Sequence, residues 1–83
     1  MYEYEREKQE IFTERGQVMF LKIRDNVNSL IDKAGAVRMQ EAISGQTGDC
    51  WHMMACVDRL VEIGEIKELV NPNAAGQYRV FTR

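Results

Sequence analysis

The segment CWHMMACVDRLVEIGEI, residues 50–66, carries the clearest folding signal in the chain. With about 100° of rotation per residue, a helix over residues 50–63 divides into two sides. One side is apolar and holds Cys50, Met53, Met54, Val57, Leu60 and Val61, and the other holds Trp51, His52, Ala55, Arg59 and Glu62. Thr47 or Asp49 is suited to cap the start of this helix, and Gly64 is suited to its exit. We predict that the apolar side packs on a core and that the Trp51 side faces solvent.

The residues before and after this helix predict the remaining elements of one domain, residues 18–83. Residues 18–34 place apolar side chains at helical spacing, and Gly35 follows as a left-handed cap. A short strand over 36–38 and a short helix over 39–44 come next. Residues 66–70 and 78–82 are rich in β-branched and aromatic residues, and turn-forming residues 71–76 between them indicate a hairpin. We expect Ile66, Tyr78 and Val80 to cover one side of the helical core.

Residues 1–17 are predicted to be a helical extension of this domain. Good helix formers dominate residues 3–15, and Tyr4, Ile11 and Phe12 fall on an apolar stripe of helical period. Gly16 interrupts the pattern, because glycine in a helix interior costs about 1 kcal/mol relative to alanine. We therefore predict a break or bend near Gly16.

The order of these elements resembles that of the winged helix-turn-helix superfamily. The resemblance is carried by Val57-x-x-Leu60-x-x-x-Gly64-x-Ile66 and Gly76-x-Tyr78-x-Val80, within residues 18–82. These residues look like the end of a recognition helix, its glycine exit and the two strands of a wing. The resemblance implies an α+β fold with a three-helix core and a C-terminal β-hairpin. It also implies that the residue 50–63 helix and the hairpin contact DNA or a protein.

Composition and charge limit the classes to which the protein can belong. A chain of 83 residues, 45% hydrophobic and 29% charged, fits a single globular domain. Lys and Arg total 11 and Asp and Glu total 13, so the net charge is −2 and no block is strongly basic. The apolar runs are far shorter than the ~20 residues of a membrane span, and the N-terminus is too acidic for a signal peptide. We expect a cytoplasmic protein that does not act at a membrane.

The residue patterns do not indicate catalysis, a cofactor or a metal ion. His52 is the only histidine, and nothing in the sequence supplies an oxyanion hole or a pocket for a Cys56–His52 pair. Cys50, His52 and Cys56 have the spacing C-x-H-x-x-x-C without a fourth ligand, unlike structural zinc sites. Glycine-rich phosphate loops do not occur. We therefore expect a protein that is not an enzyme and holds no cofactor.

The first functional interpretation is binding of double-stranded DNA, as in a transcriptional regulator. The resemblance implicates Thr47, Asp49, Trp51, His52, Ala55 and Arg59 of the helix, Lys67, Asn73, Gln77 and Arg79 of the wing, and Arg38 and Gln40 of the short helix. Arg, Asn and Gln suit base edges, and Lys and Arg suit phosphates. The charge of residues 46–64 opposes this interpretation. One Arg stands there against three carboxylates, a net charge of −2, whereas phosphate neutralisation dominates DNA affinity.

The second functional interpretation is a protein-interaction module that does not bind DNA. The Trp51 side of the helix combines one large aromatic residue with one arginine and no lysine, which is typical of a protein interface. In the extension, Tyr4, Ile11 and Phe12 would pair with a second copy of the chain in a homodimer or dock on a partner helix. Alternatively, the same stripe folds back on its own domain and enlarges the core. Both functional interpretations stay open at this point.

Overall fold

The chain forms four α-helices, two 3₁₀ helices and three β-strands within the residues that the computed structural model describes, 1–71 and 73–83. The α-helices are α1 (Tyr4–Glu7), α2 (Glu14–Ala34), α3 (Met39–Ala42) and α4 (Cys50–Glu62), and the 3₁₀ helices are Lys8–Phe12 and Gly76–Tyr78. The strands are β1 (Val37–Arg38), β2 (Lys67–Leu69) and β3 (Val80–Thr82). The predicted α+β class is confirmed. None of the described helices is both long and apolar enough to cross a bilayer.

The three strands form one antiparallel sheet in the order β1-β3-β2. Phe81 lies at its centre, paired with Val37 on one side and with Glu68 on the other. The predicted hairpin of β2 and β3 is therefore confirmed, although the 3₁₀ helix Gly76–Tyr78 takes the place expected for the start of β3. The predicted turn includes Pro72, which lies outside the described residues.

Two glycines end the long helices where the sequence predicts. Gly35 follows α2 with φ 82° and donates its backbone N–H to the carbonyl of Ile31 at 2.7 Å. Gly64 follows α4 with φ 81°. At such positive φ angles a residue with a side chain is sterically disfavoured, whereas glycine is not.

The hydrophobic core lies between the two long helices and the inner face of the sheet. From α2 it takes Ile23, Val27 and Ile31, as the helical spacing predicts. The sheet closes the core with Phe81, and Ile66 adds to it from the start of the hairpin. The expectation for Tyr78 is wrong, because this side chain is 66% exposed. Phe81, three residues further along the chain, faces the core instead and is completely buried.

The N-terminal segment (residues 1–12) folds back over α4 and becomes part of the domain. Its Ile11 side chain is 1% exposed and belongs to the hydrophobic core. Tyr2 and Tyr4 are partly buried against the same core. The predicted boundary between an extension and a domain at residues 17–18 falls inside α2, which runs unbroken from Glu14 to Ala34.

Thr13, and not Gly16, is the point at which the chain changes direction. Thr13 has extended backbone angles and caps α2, since its Oγ1 accepts a hydrogen bond from the N–H of Gly16 at 3.0 Å. The break predicted near Gly16 thus lies three residues earlier, at Thr13. Gly16 is a buried helical residue in the first turn of α2, and a Cβ atom there would collide with the backbone carbonyl oxygen of Glu10. Gly16 therefore allows the N-terminal segment to lie directly against α2.

The Gly16 contact gives a test of this packing. Gly16→Ala should lower the free energy of unfolding by about 2–3 kcal/mol, because backbone atoms of the N-terminal segment must move to admit the methyl group. Ser29→Ala, at an exposed position of the same helix, serves as the matched control and should change it by less than about 0.5 kcal/mol. Urea unfolding followed by circular dichroism measures both. A Gly16→Ala protein as stable as the parent would contradict the close approach of Glu10.

Candidate functional site

Asp49 fixes the start of α4. Its carboxylate accepts a hydrogen bond from the backbone N–H of Trp51 at 2.9 Å, so Asp49 is the N-cap and the alternative cap, Thr47, is exposed in the preceding turn. Trp51 therefore lies in the first turn of the helix, and its side chain is 39% exposed, as predicted. Of the residues predicted on the outer side of α4, Trp51 and Glu62 are exposed as expected.

Beyond its first turn, α4 is enclosed on every side as far as Val57. The five successive residues from Met53 to Val57 are each at most 6% exposed, and five residues at about 100° each point all round a helix. The prediction that Ala55 faces solvent is wrong, since it is completely buried. The sequence did contain a signal for this arrangement. A helix that is apolar all round is typical of a buried helix rather than a surface one.

Polar contacts from the N-terminal segment cover the outer side of α4. The hydroxyl of Tyr2 donates to Asp58 at 2.5 Å, and the hydroxyl of Tyr4 donates to Glu62 at 2.9 Å. The ammonium group of Lys8 donates a hydrogen bond to the other carboxylate oxygen of Glu62 at 2.8 Å. Burial and the neighbouring carboxylates raise the pKa of both tyrosines far above the usual range, so both hydroxyls keep their protons. The segment thus supplies hydrogen-bond donors to a stripe of acceptors on α4.

Arg59 takes part in the same packing and is not a free cation. Its guanidinium donates to Glu62 at 2.6 Å and lies 5.2 Å from the centre of the Phe12 ring. Of the three residues predicted for dimerisation, Ile11 is buried in its own domain and Tyr4 is bound to α4, whereas Phe12 is still more than half exposed. The alternative in which the apolar stripe folds back and enlarges the core is the arrangement that the structure has.

Arg79 lies inside the fold rather than on the tip of a wing. Its guanidinium donates to Asp58 at 2.7 Å and to Glu68 at 2.6 Å, and its side chain is only 18% exposed. These hydrogen bonds raise the pKa of Arg79 above its already high value. The prediction of a nucleic-acid contact at this residue does not fit its position, because both carboxylates would lose their partner if Arg79 turned outward.

The other predicted contact residues lie on the surface at separate places. The exposed ones are Arg38, Gln40, Thr47, Asp49, Lys67, Asn73 and Gln77. Gln77 points back to α4, with its Nε2 3.8 Å from the sulfur of Cys50. The backbone N–H of Asn73 is held by the side chain of Asn71 at 2.9 Å. His52 is only half exposed, and its Nδ1 is covered without a hydrogen-bond partner among the described residues.

Exposed apolar side chains occur in the first turn of α4 and in the hairpin segment. Gln77 contacts Cys50, so the segments that contain their neighbours Tyr78 and Trp51 lie against each other. Sequence reasoning identified Trp51 and expected Tyr78 to face the core, and it made no prediction for Leu69 or Val70. We name these residues the Trp51 surface, and they are Trp51, Leu69, Val70 and Tyr78, of which Val70 is 92% exposed.

An acidic groove lies between the starts of α2 and α4. It encloses about 580 Å³ and has Met19 and His52 among its lining residues. Its lining includes three carboxylates and one guanidinium. The carboxylates belong to Glu10, Glu14 and Asp49, and the guanidinium belongs to Arg15. An excess of negative charge at the N-terminal end of α4 repels phosphate groups that approach this end of the helix.

Cys56 lies in the interior of the fold. Cys56 is completely buried, and this burial raises the pKa of its thiol to about 12, so the thiolate that reacts or binds metal does not form near neutral pH. Among residues 1–71 and 73–83, no cluster of three His, Cys, Asp or Glu side chains is placed to hold a metal ion.

Comparisons with known proteins do not assign a family. No family model, curated protein or solved structure matches the chain. A functional proposal therefore depends on the surfaces described above.

The Glu62 contacts give a prediction for acid stability. Hydrogen bonds from Lys8, Arg59 and Tyr4 lower the pKa of Glu62 from 4.5 to about 2. Because the folded-state pKa is the lower one, the charged carboxylate stabilises the fold fully above about pH 4.5, and this contribution is lost as the pH falls towards 2. The difference in free energy of unfolding between the parent and Glu62→Gln should therefore shrink over this range.

Urea unfolding at a series of pH values measures that difference. Glu5→Gln is the matched control, because Glu5 is exposed on α1 and makes no side-chain hydrogen bond or ion pair within the described part of the chain. A difference between the parent and Glu62→Gln that stays constant with pH would show that Glu62 does not hold the N-terminal segment.

Proposed function

We propose that the protein is a winged-helix-like interaction module that binds another protein through the Trp51 surface. The arrangement of α2, α3, α4 and the β1-β3-β2 sheet is consistent with a winged helix. The observation that carries the functional proposal is the enclosure of α4. The helix that would read DNA bases in that family is covered from Met53 to Val57, while Trp51 at its start is exposed.

The state of the cations supports a protein partner over a nucleic acid. DNA affinity depends largely on lysine and arginine side chains that are free to neutralise phosphates. Around α4, Arg59, Arg79 and Lys8 are each bound to carboxylates of the protein itself. The groove at the start of α4 adds further carboxylates. A polyanion would have to break these ion pairs before it gained any of its own.

The chemistry of the Trp51 surface resembles that of a protein-binding site. Tryptophan and tyrosine are enriched among residues that contribute most to binding, whereas charged residues are depleted from the centres of interfaces. Leu69 and Val80 face each other across β2 and β3, and β2 is an edge strand of the sheet. The exposed backbone of an edge strand gives an extended segment of a partner a place to pair.

Double-stranded DNA is the second candidate partner, favoured by two exposed cations of the sheet. Arg38 is exposed in β1 and Lys67 is exposed in β2 at the other edge of the sheet. Neither is in an ion pair within the described chain. Two such cations give a weak electrostatic footprint compared with the several phosphate contacts of a DNA-binding domain.

To test the role of Trp51, a binding partner is first captured with the protein. The partner is then identified and purified. Trp51→Ala should weaken binding about 30-fold or more, because a central aromatic residue typically contributes at least about 2 kcal/mol. The matched control is Leu21→Ala, another exposed apolar residue, which lies on α2. Calorimetry or surface plasmon resonance measures both affinities. Equal binding by the parent and Trp51→Ala proteins would refute the proposal.

A fluorescence-anisotropy titration with a random duplex separates the two candidate partners. At about 50 mM salt, where non-specific binding is strong, the protein-interaction proposal predicts no binding at micromolar concentrations. Binding in that range, lost in an Arg38→Ala, Lys67→Ala double variant, would replace it with DNA binding.

A further inference from the structure

Residues 2–9, which we call the strap, lie across the outer side of α4 and have few apolar anchors. We propose that the strap is displaceable and that it gates the outer side of α4 for a partner segment. The displacement itself is a property of the fold alone. Its role as a gate rests on the proposed function, because the uncovered side of α4 would extend the Trp51 surface.

The strap is attached by partly exposed polar contacts and by the Tyr2 and Tyr4 rings, which are only partly buried against the core. No residue of α1 is buried, and α1 has only four residues, too few for a stable helix by itself. The Lys8–Glu62 ion pair leaves both side chains about a quarter to a third exposed, and solvent weakens ion pairs of this kind. The two tyrosine hydrogen bonds complete the attachment. Such contacts permit opening at a lower free energy than that of global unfolding.

The base of the strap is held much more firmly. Ile11 is buried in the core, and the carbonyl of Glu10 lies against Gly16. The side chain of Gln17 donates to the carbonyl of Ile11 at 2.5 Å. Because these contacts begin at residue 10, the strap can lift while the base and the core stay in place.

Lifting the strap uncovers a binding stripe with a defined chemistry. Asp58 would lose the Tyr2 hydroxyl, and Glu62 would lose the Tyr4 hydroxyl and the Lys8 ammonium. Arg79 and Arg59 still donate to these carboxylates, and a partner segment that supplies the missing donors regains the hydrogen bonds that the strap gives up. The partner is therefore expected to present aromatic hydroxyls and a basic side chain at similar spacing, in competition with the strap.

Limited trypsin digestion of the full-length protein tests the displacement. Cleavage after Arg6, in the strap, is compared with cleavage after Arg24 and Lys33, in α2, by mass spectrometry. Each rate is normalised to cleavage of the same bond in a short peptide. When opening is fast, proteolysis reports the population of the open form, so the bond after Arg6 should be cut at least about tenfold faster than those in α2.

Two variants show whether this opening depends on the contacts with α4. Glu62→Ala removes the acceptor shared by Tyr4 and Lys8 and should raise cleavage after Arg6 about tenfold, with little change in α2. Glu5→Ala, an exposed position on α1, is the matched control and should leave the rate unchanged. Equal normalised rates at all three bonds, or a Glu62→Ala effect of the same size in α2, would overturn the proposal. Because no partner is present, this result is independent of the Trp51→Ala binding result.

Discussion

The close approach of Glu10 to Gly16 is the constraint on which the arrangement of the whole domain depends. Without a side chain at Gly16, the backbone of residues 10–11 lies directly on the first turn of α2, and Ile11 enters the core. From there the chain crosses α4 and supplies hydroxyls and an ammonium to Asp58 and Glu62. A helix that a three-helix core would leave half exposed is thereby enclosed.

This enclosure changes what α4 can do. The polar residues on its outer side form hydrogen bonds within the chain. The nearby cations Arg59 and Arg79 form ion pairs with carboxylates. The first turn of α4 is different, because Asp49 caps the helix there and the Trp51 side chain is exposed to solvent. In the proposed function, recognition is therefore concentrated on the aromatic and aliphatic side chains of the Trp51 surface rather than on a basic helix.

The sequence predicts the features that local physical chemistry determines. Asp49 is a cap because of its short carboxylate, Gly35 and Gly64 end helices because they adopt positive φ, and the spacing of Ile23, Val27 and Ile31 faces the core. Contacts between distant residues are not encoded in local patterns. Ala55 and Arg59 have the same spacing whether solvent or the N-terminal segment covers them, and Asp58 is separated from Arg79 by 21 residues. Gly16 was misread because its role is close packing against Glu10 rather than termination of a helix.

Solvent exposure of the Ala55 methyl group is the most direct test of the central claim that α4 is enclosed. In the full-length protein, relaxation of methyl protons by an inert soluble paramagnetic agent can be compared for Ala55, buried Ala42 and exposed Ala34. The enclosed arrangement predicts that Ala55 relaxes as slowly as Ala42. Relaxation of Ala55 as fast as that of Ala34 would show that the outer side of α4 is open and would contradict the account.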